Sequence, residues 1–143
     1  HGLLVAAHPA PLGRVMTLNH LTETFRFPDY ASVAVGGTVR ATAPGGAEEV
    51  HGADILAEFR LEMGLPVWRY EAHGHVIEKR VFLPHRRNTV HVLYRLVDGP
   101  GPVRLKLRPS VHFRGHDDPV DTPPRGPHRL SAEEGRYELS QPG

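Results

Sequence analysis

Three kinds of side chain in this 143-residue sequence could do chemistry: carboxylates, imidazoles, and aromatic rings interleaved with arginines. Glycoside hydrolysis needs two carboxyl groups, one to protonate the leaving oxygen and one to act as base or nucleophile. Glu23, Glu58, Asp117 and Asp118 are the candidates. Glu58 alternates with apolar residues and reads as the solvent-facing residue of a strand. Asp117-Asp118 lies in a proline-rich stretch, where aspartate forms turns. No complete pair is expected, and no catalytic residue is assigned.

Eleven histidines invite a metal reading. His73 and His75, at i and i+2, can share a face, and His112 and His116 flank a strand end near Asp117 and Asp118. A zinc site needs three or four converging ligands, and nothing in the spacing forces convergence. The histidines are read as surface residues, with no metal and no cofactor expected. Gly36-Gly37 and Gly45-Gly46 lack the strand–glycine–helix context of a phosphate loop. Ser32, Ser110, Ser131 and Ser140 sit in no nucleophile-elbow pattern. Aromatic rings that could stack on the C–H faces of sugars are Trp68, Tyr70, Tyr30, Tyr94 and Phe113. Trp68 and Tyr70 share one face of a strand, which favours core packing for both.

The elements that must position these groups read as strands. Leu3–Ala7 is a continuous apolar run, as in a strand buried on both faces. Between Val15 and Phe27, Leu21, Glu23, Phe25 and Phe27 share one face, and Thr22, Thr24 and Arg26 the other. Val33-Ala34-Val35 leads to Gly36-Gly37, a hairpin-type turn signal, and 41–54 reads as a loop. Ile55, Ala57, Phe59 and Leu61 alternate with Leu56, Glu58, Arg60 and Glu62. Val67–Glu71 and Val76–Leu83 flank Ala72-His73-Gly74-His75, the best hairpin in the chain. Val90–Leu96 alternates again. Last, Val103, Leu105, Leu107, Val111 and Phe113 face one way, and Arg104, Lys106, Arg108, His112 and Arg114 the other, so that face must be wet or bound. Residues 115–129 read as a loop, expected to be mobile. Leu130 and Tyr137–Leu139 resume a strand.

Composition bounds the class. The chain is 39% hydrophobic and 23% charged, ordinary for a globular protein of one domain. The net charge of +1 argues against nucleic acid or an anionic membrane as partner. The absence of cysteine excludes disulfides and thiolate metal sites and fits a cytoplasmic protein. No apolar run reaches the ~20 residues of a membrane-spanning helix. Fifteen glycines and fourteen prolines suit many short strands joined by turns. The expectation is an all-β fold, an antiparallel two-sheet β-sandwich with few or no helices, forming one domain over 1–143. An apolar strand at the first residue suggests a piece cut from a longer protein.

Four stretches together resemble the N-terminal domain of bacterial and archaeal glycogen debranching enzymes of the amylo-α-1,6-glucosidase type. His1-Gly2-Leu3-Leu4-Val5-Ala6-Ala7 with Pro11-Leu12-Gly13-Arg14 is similar to the family's opening. Leu21-Thr22-Glu23-Thr24 resembles its L-x-E strand. Phe59-Arg60-Leu61 through Pro66-Val67-Trp68-Arg69-Tyr70 resembles its F-x-L…P-x-W-x-Y element. Arg87-Asn88-Thr89-Val90 and Gly99 to Pro109 resemble its late strands. After Arg114 the chain departs, reading Gly115-His116-Asp117-Asp118 where the family has an Arg-Asp pair. The resemblance implies a large two-sheet (supersandwich-like) β-sandwich, preceding an (α/α)6 barrel that carries the acid and base of a glycoside hydrolase. The implied partners are glycogen or another branched α-glucan and the C-terminal catalytic domain of the same chain. The candidate substrate-binding residues are His1, Trp68, Arg108, Arg114 and Asp117, of which His1 and Arg108 match the family pattern. The alternative is a scaffold that docks the catalytic domain without touching sugar.

Overall fold

The computed structural model describes residues 2–39, 49–124 and 126–141. Among them are twelve strands and no helix: β1 (Leu4–Ala7), β2 (Arg14–Arg26), β3 (Ser32–Val35), β4 (Thr38–Val39), β5 (Glu49–Val50), β6 (Leu56–Glu62), β7 (Leu65–Ala72), β8 (His75–Phe82), β9 (His91–Asp98), β10 (Arg104–Gly115), β11 (Arg129–Glu133) and β12 (Arg136–Ser140). The first sheet has the order β1-β2-β10, with β3 also on β2. β10 runs along almost the whole of β2, so β1 and β3 divide the opposite edge between them. The second sheet is the meander β6-β7-β8-β9. Every pairing is antiparallel, and two further hairpins, β4–β5 and β11–β12, stand apart.

The two sheets bury their facing sides against each other. Phe25, Phe27 and Val35 from the first meet Tyr70 and Ile77 from the second, with Trp68, Tyr94, Val103 and Leu105 packed around them. Phe25 lies tilted against Tyr70 at 6.0 Å between ring centroids and edge-on to Tyr94 at 6.4 Å, both favoured aromatic geometries. Period-two alternation in β2 and β7 makes this layer, and the sandwich is the fold the pattern called for.

Turn chemistry holds the ends. His73 and Gly74 both take positive φ, 51° and 70°, as a two-residue hairpin turn requires. Gly99 lies flat on His75; a Cβ there would stand 2.4 Å from the imidazole Cδ2. The buried His75 ring points both nitrogens at carbonyl oxygens, Nδ1 at His73 (2.8 Å) and Nε2 at Pro100 (3.1 Å). Asn88 stands in for a neighbouring strand at the edge of β1. Its Oδ1 accepts from the Ala7 N–H and its Nδ2 donates to the Ala7 carbonyl, each at 2.8 Å.

Four expectations change. β1 is a half-buried edge strand paired only with β2, not one buried on both faces. Gly36-Gly37 turns no hairpin: β3 pairs with β2 and β4 with β5, so the glycines carry the chain from one pairing to another. The stretch 41–54 contains β5, while 41–48 lie outside the described residues. Arg114 does not share the face of Arg104, Lys106 and Arg108. Ser110 pairs with His20 but Val111 with Leu18, and Arg114 with Met16 rather than falling in step. Directly opposed residues share a face, and the extra residue between Val111 and Arg114 reverses the alternation.

Candidate functional site

The outward side of the first sheet gathers cations and hydroxyls. The cross-strand rows read Ser32–Arg26–Arg104, Ala34–Thr24–Lys106, Thr22–Arg108 and His20–Ser110. Alternation supplies this arrangement: the residues between these on β2 and β10, Glu23, Phe25 and Leu105 among them, point into the sandwich. Among the described residues, Arg26, Arg104, Lys106 and Arg108 have no carboxylate partner. The Arg26 guanidinium lies over the Tyr30 ring, 5.7 Å from its centroid, and Tyr30 is 80% exposed. A hollow of about 480 Å³ is bounded by Arg26, Tyr30, Pro102 and Arg104. A second of about 560 Å³ shares Arg26 and Arg104 and adds Thr24, Ser32 and Lys106. A third, about 430 Å³, lies further along β10 between His20, Thr22, Arg108 and Ser110. Each volume falls in the range of small-ligand sites.

The outward side of the second sheet is the electrostatic opposite. Across its four strands one row reads Glu58–Arg69–Glu78–Arg95. Arg60 holds Glu58 at 3.0 Å, Glu62 at 2.6 Å and Glu78 at 2.7 Å, and Arg80 holds Glu62 at 2.7 Å. Hydrogen bonds from Arg60, ahead of its charge, hold the Glu62 and Glu78 carboxyls below the usual glutamate range.

Between the sheets lies a polar cluster. Glu23 is fully buried. Its Oε1 accepts from the Tyr94 hydroxyl and pairs with the Lys79 ammonium, which also lies 5.6 Å from the Trp68 ring centroid. Its Oε2 is buried and unpartnered among the described residues. Burial first, then the Glu23 charge, pushes the Tyr70 hydroxyl up to about 12. Burial, then the hydrogen bond to Glu23, pushes Tyr94 higher still. A folded pKa raised above the ordinary value of 10 stabilises fully below that value and is lost as pH rises through the folded pKa. Alkaline titration followed by tyrosinate absorbance will therefore show Tyr70 and Tyr94 ionising only well above pH 10, together with loss of structure. Ionisation of all four tyrosines near pH 10 in the folded state would overturn this.

The residues singled out from the sequence do not converge. His1 lies outside the described residues. Trp68 faces inward against the core and Lys79. Arg108 stands on the opposite, outward side of the first sheet. Arg114 donates to the carbonyls of Gly115 (3.1 Å) and Asp118 (2.8 Å), closing the turn after β10. Asp117 is exposed within that turn. The start of 115–129 is further tied to β10 by His112 Nε2 donating to the Thr122 carbonyl at 3.1 Å. Arg26 and Ser32 complete the cationic face and were not among the residues singled out for binding, and Tyr30, named only as one ring able to stack on sugar, stands at its rim. Their signal is the Thr22-x-Thr24-x-Arg26 alternation, which acquires meaning once β2 is set beside β10.

Five of the described carboxylates have structural duties: Glu23 in the core, Glu58, Glu62 and Glu78 on Arg60, and Asp29 on His73 Nδ1 at 2.7 Å. In the described residues no group of three or more His, Cys, Asp or Glu side chains could hold a metal ion. No helix among them is long and apolar enough to cross a membrane. A family model described as glycogen debranching enzyme N terminal matches residues 1–140. No curated protein and no solved structure matches the chain.

Proposed function

The chain belongs to the glycogen debranching enzyme N-terminal family, and from that premise we propose that it is a non-catalytic part of such an enzyme that holds or shapes the α-glucan beside a catalytic domain. The observation that carries this is the outward face of the first sheet. Its arginines have no carboxylate partner among the described residues, its threonines and serines are aligned, and its rim is the exposed ring of Tyr30. Sugars offer hydroxyls to such donors and apolar C–H faces to such a ring. The proposed partners are a branched α-glucan and the catalytic domain, with the cytoplasm as the compartment. Arg108 keeps the binding role proposed for it; Trp68, Arg114 and Asp117 are held by or lie in other surroundings.

A second reading rests on a separate observation. Edge strand β6 and the turn after it leave Phe59, Leu61 and Met63 exposed, Leu61 at 65%. Such a stripe suits docking onto a neighbouring domain. An NMR titration of the chain with maltoheptaose separates the two. Shifts at Thr22, Tyr30, Arg104 and Arg108 are expected. A folded sample with no shifts on this face at millimolar sugar removes the glucan reading and leaves docking through β6.

A further inference from the structure

The outward face of the first sheet carries more positive charge than a neutral sugar needs. Arg26 and Arg104 sit directly opposite each other on adjacent strands. Like charges in that position destabilise a sheet. Lys106 and Arg108 continue the row along β10, at about 6.6 Å per two residues of strand. On the second sheet the same protein sets glutamate against arginine in three successive pairings, so its sequence does neutralise charge where neutral surface suffices. A local rule broken on one face and kept on the other marks a site whose ligand supplies the missing charge.

We propose that this face binds α-glucan bearing phosphate monoesters, the phosphate lying between Arg104, Lys106 and Arg108 while adjoining glucose units run over Thr22, Thr24 and the Tyr30 ring. This rests on the glucan reading above and narrows its substrate class. The phosphate supplies up to two negative charges and three acceptor oxygens, and guanidinium groups match them with paired donors. The hollows of about 430 to 560 Å³ along the face suit sugar-sized groups. A flat acidic protein surface would leave them unfilled.

The test is calorimetric titration of the chain with maltoheptaose, with maltoheptaose carrying one phosphate monoester, with inorganic phosphate and with polyglutamate, at low and high salt. The phosphorylated sugar is expected to bind about tenfold tighter than the plain one, the worth of one charge-assisted contact, and that advantage to shrink with salt. Arg104→Thr/Arg108→Thr should erase the advantage while its thermal midpoint stays level or rises, since it relieves the Arg26–Arg104 opposition. Equal affinity for both sugars overturns the phosphate inference and leaves the glucan reading standing. Binding of neither sugar overturns both. Inorganic phosphate or polyglutamate matching the phosphorylated sugar overturns the inference in favour of a simple anion or an acidic protein. An advantage that survives in the double variant overturns it as well.

Discussion

Glu23→Ala will cost about 3–5 kcal/mol of stability, the loss expected when one partner is removed from a buried ion pair. That is a large part of the ~5–15 kcal/mol that holds an ordinary domain folded. The carboxylate is fully buried and is the partner of an ammonium only 13% exposed. Without it, Lys79 keeps a charge in a poorly solvated place and Tyr94 loses its acceptor. Tyr94→Phe removes one hydrogen bond and leaves the pair, so its cost should be nearer ~1 kcal/mol. The informative variant is double. Glu23→Leu with Lys79→Met fills the same space without charge and should recover most of the loss, because a buried pair rarely outperforms well-packed apolar residues. Urea-unfolding midpoints of the three variants beside the unsubstituted chain decide this. A double variant no more stable than Glu23→Ala would show that the pair holds the sheets together in some way its charge balance does not explain.

Acid will unfold the protein through the second sheet, and Arg60 will set the steepness. The Glu62 and Glu78 carboxyls lie below their ordinary 4.5, through hydrogen bonds from Arg60 first and its charge after. A carboxylate with a depressed folded pKa contributes stability that is present above the unfolded value and is lost as pH falls through the folded one. Stability should therefore be level from neutrality to about 5 and then fall as pH drops below 4.5. Asp29 adds to the same limb, lowered chiefly by the Ala31 N–H and then by His73. Arg60→Met should lower the neutral-pH midpoint and flatten the acid limb together. Arg136→Met breaks only an exposed pair with Glu138 and should do neither. Thermal melts between pH 3 and 7 test both; an unchanged acid slope in Arg60→Met would assign the limb to other carboxylates.

Much of the sandwich was legible because its strands alternate cleanly. The Trp68/Tyr70 face, the two strands flanking the Ala72–His75 turn and the first half of β10 were all readable from period two. Glu23 was readable as sharing a side with Phe25 and Phe27, but not as half of an ion pair, since Lys79 is 56 residues away along the chain and reaches it only when the sheets close. The cationic face was hidden for a related reason. Along each strand the basic residues alternate with apolar ones and are diluted by them, and the net charge of +1 conceals them. Only the pairing of β2 with β10 pools them on one side. Arg114 was misplaced because a bulge leaves no mark in a sequence whose alternation continues past it.

The rows of opposed charge on the second sheet also act as a key. A slip of two residues keeps every side chain on its own face, so hydrophobic patterning cannot forbid it. Charge can. Sliding β6 along β7 by two in one direction would set Arg60 against Arg69 and Glu58 against Glu71, where now Arg60 faces Val67 and Glu58 faces Arg69. The same step between β7 and β8 would set Arg69 against Arg80 and Glu71 against Glu78. Between β8 and β9 it would set Arg80 against Arg95. The meander thus carries, in its order of signs, a means of rejecting a misaligned version of itself at each of its three seams.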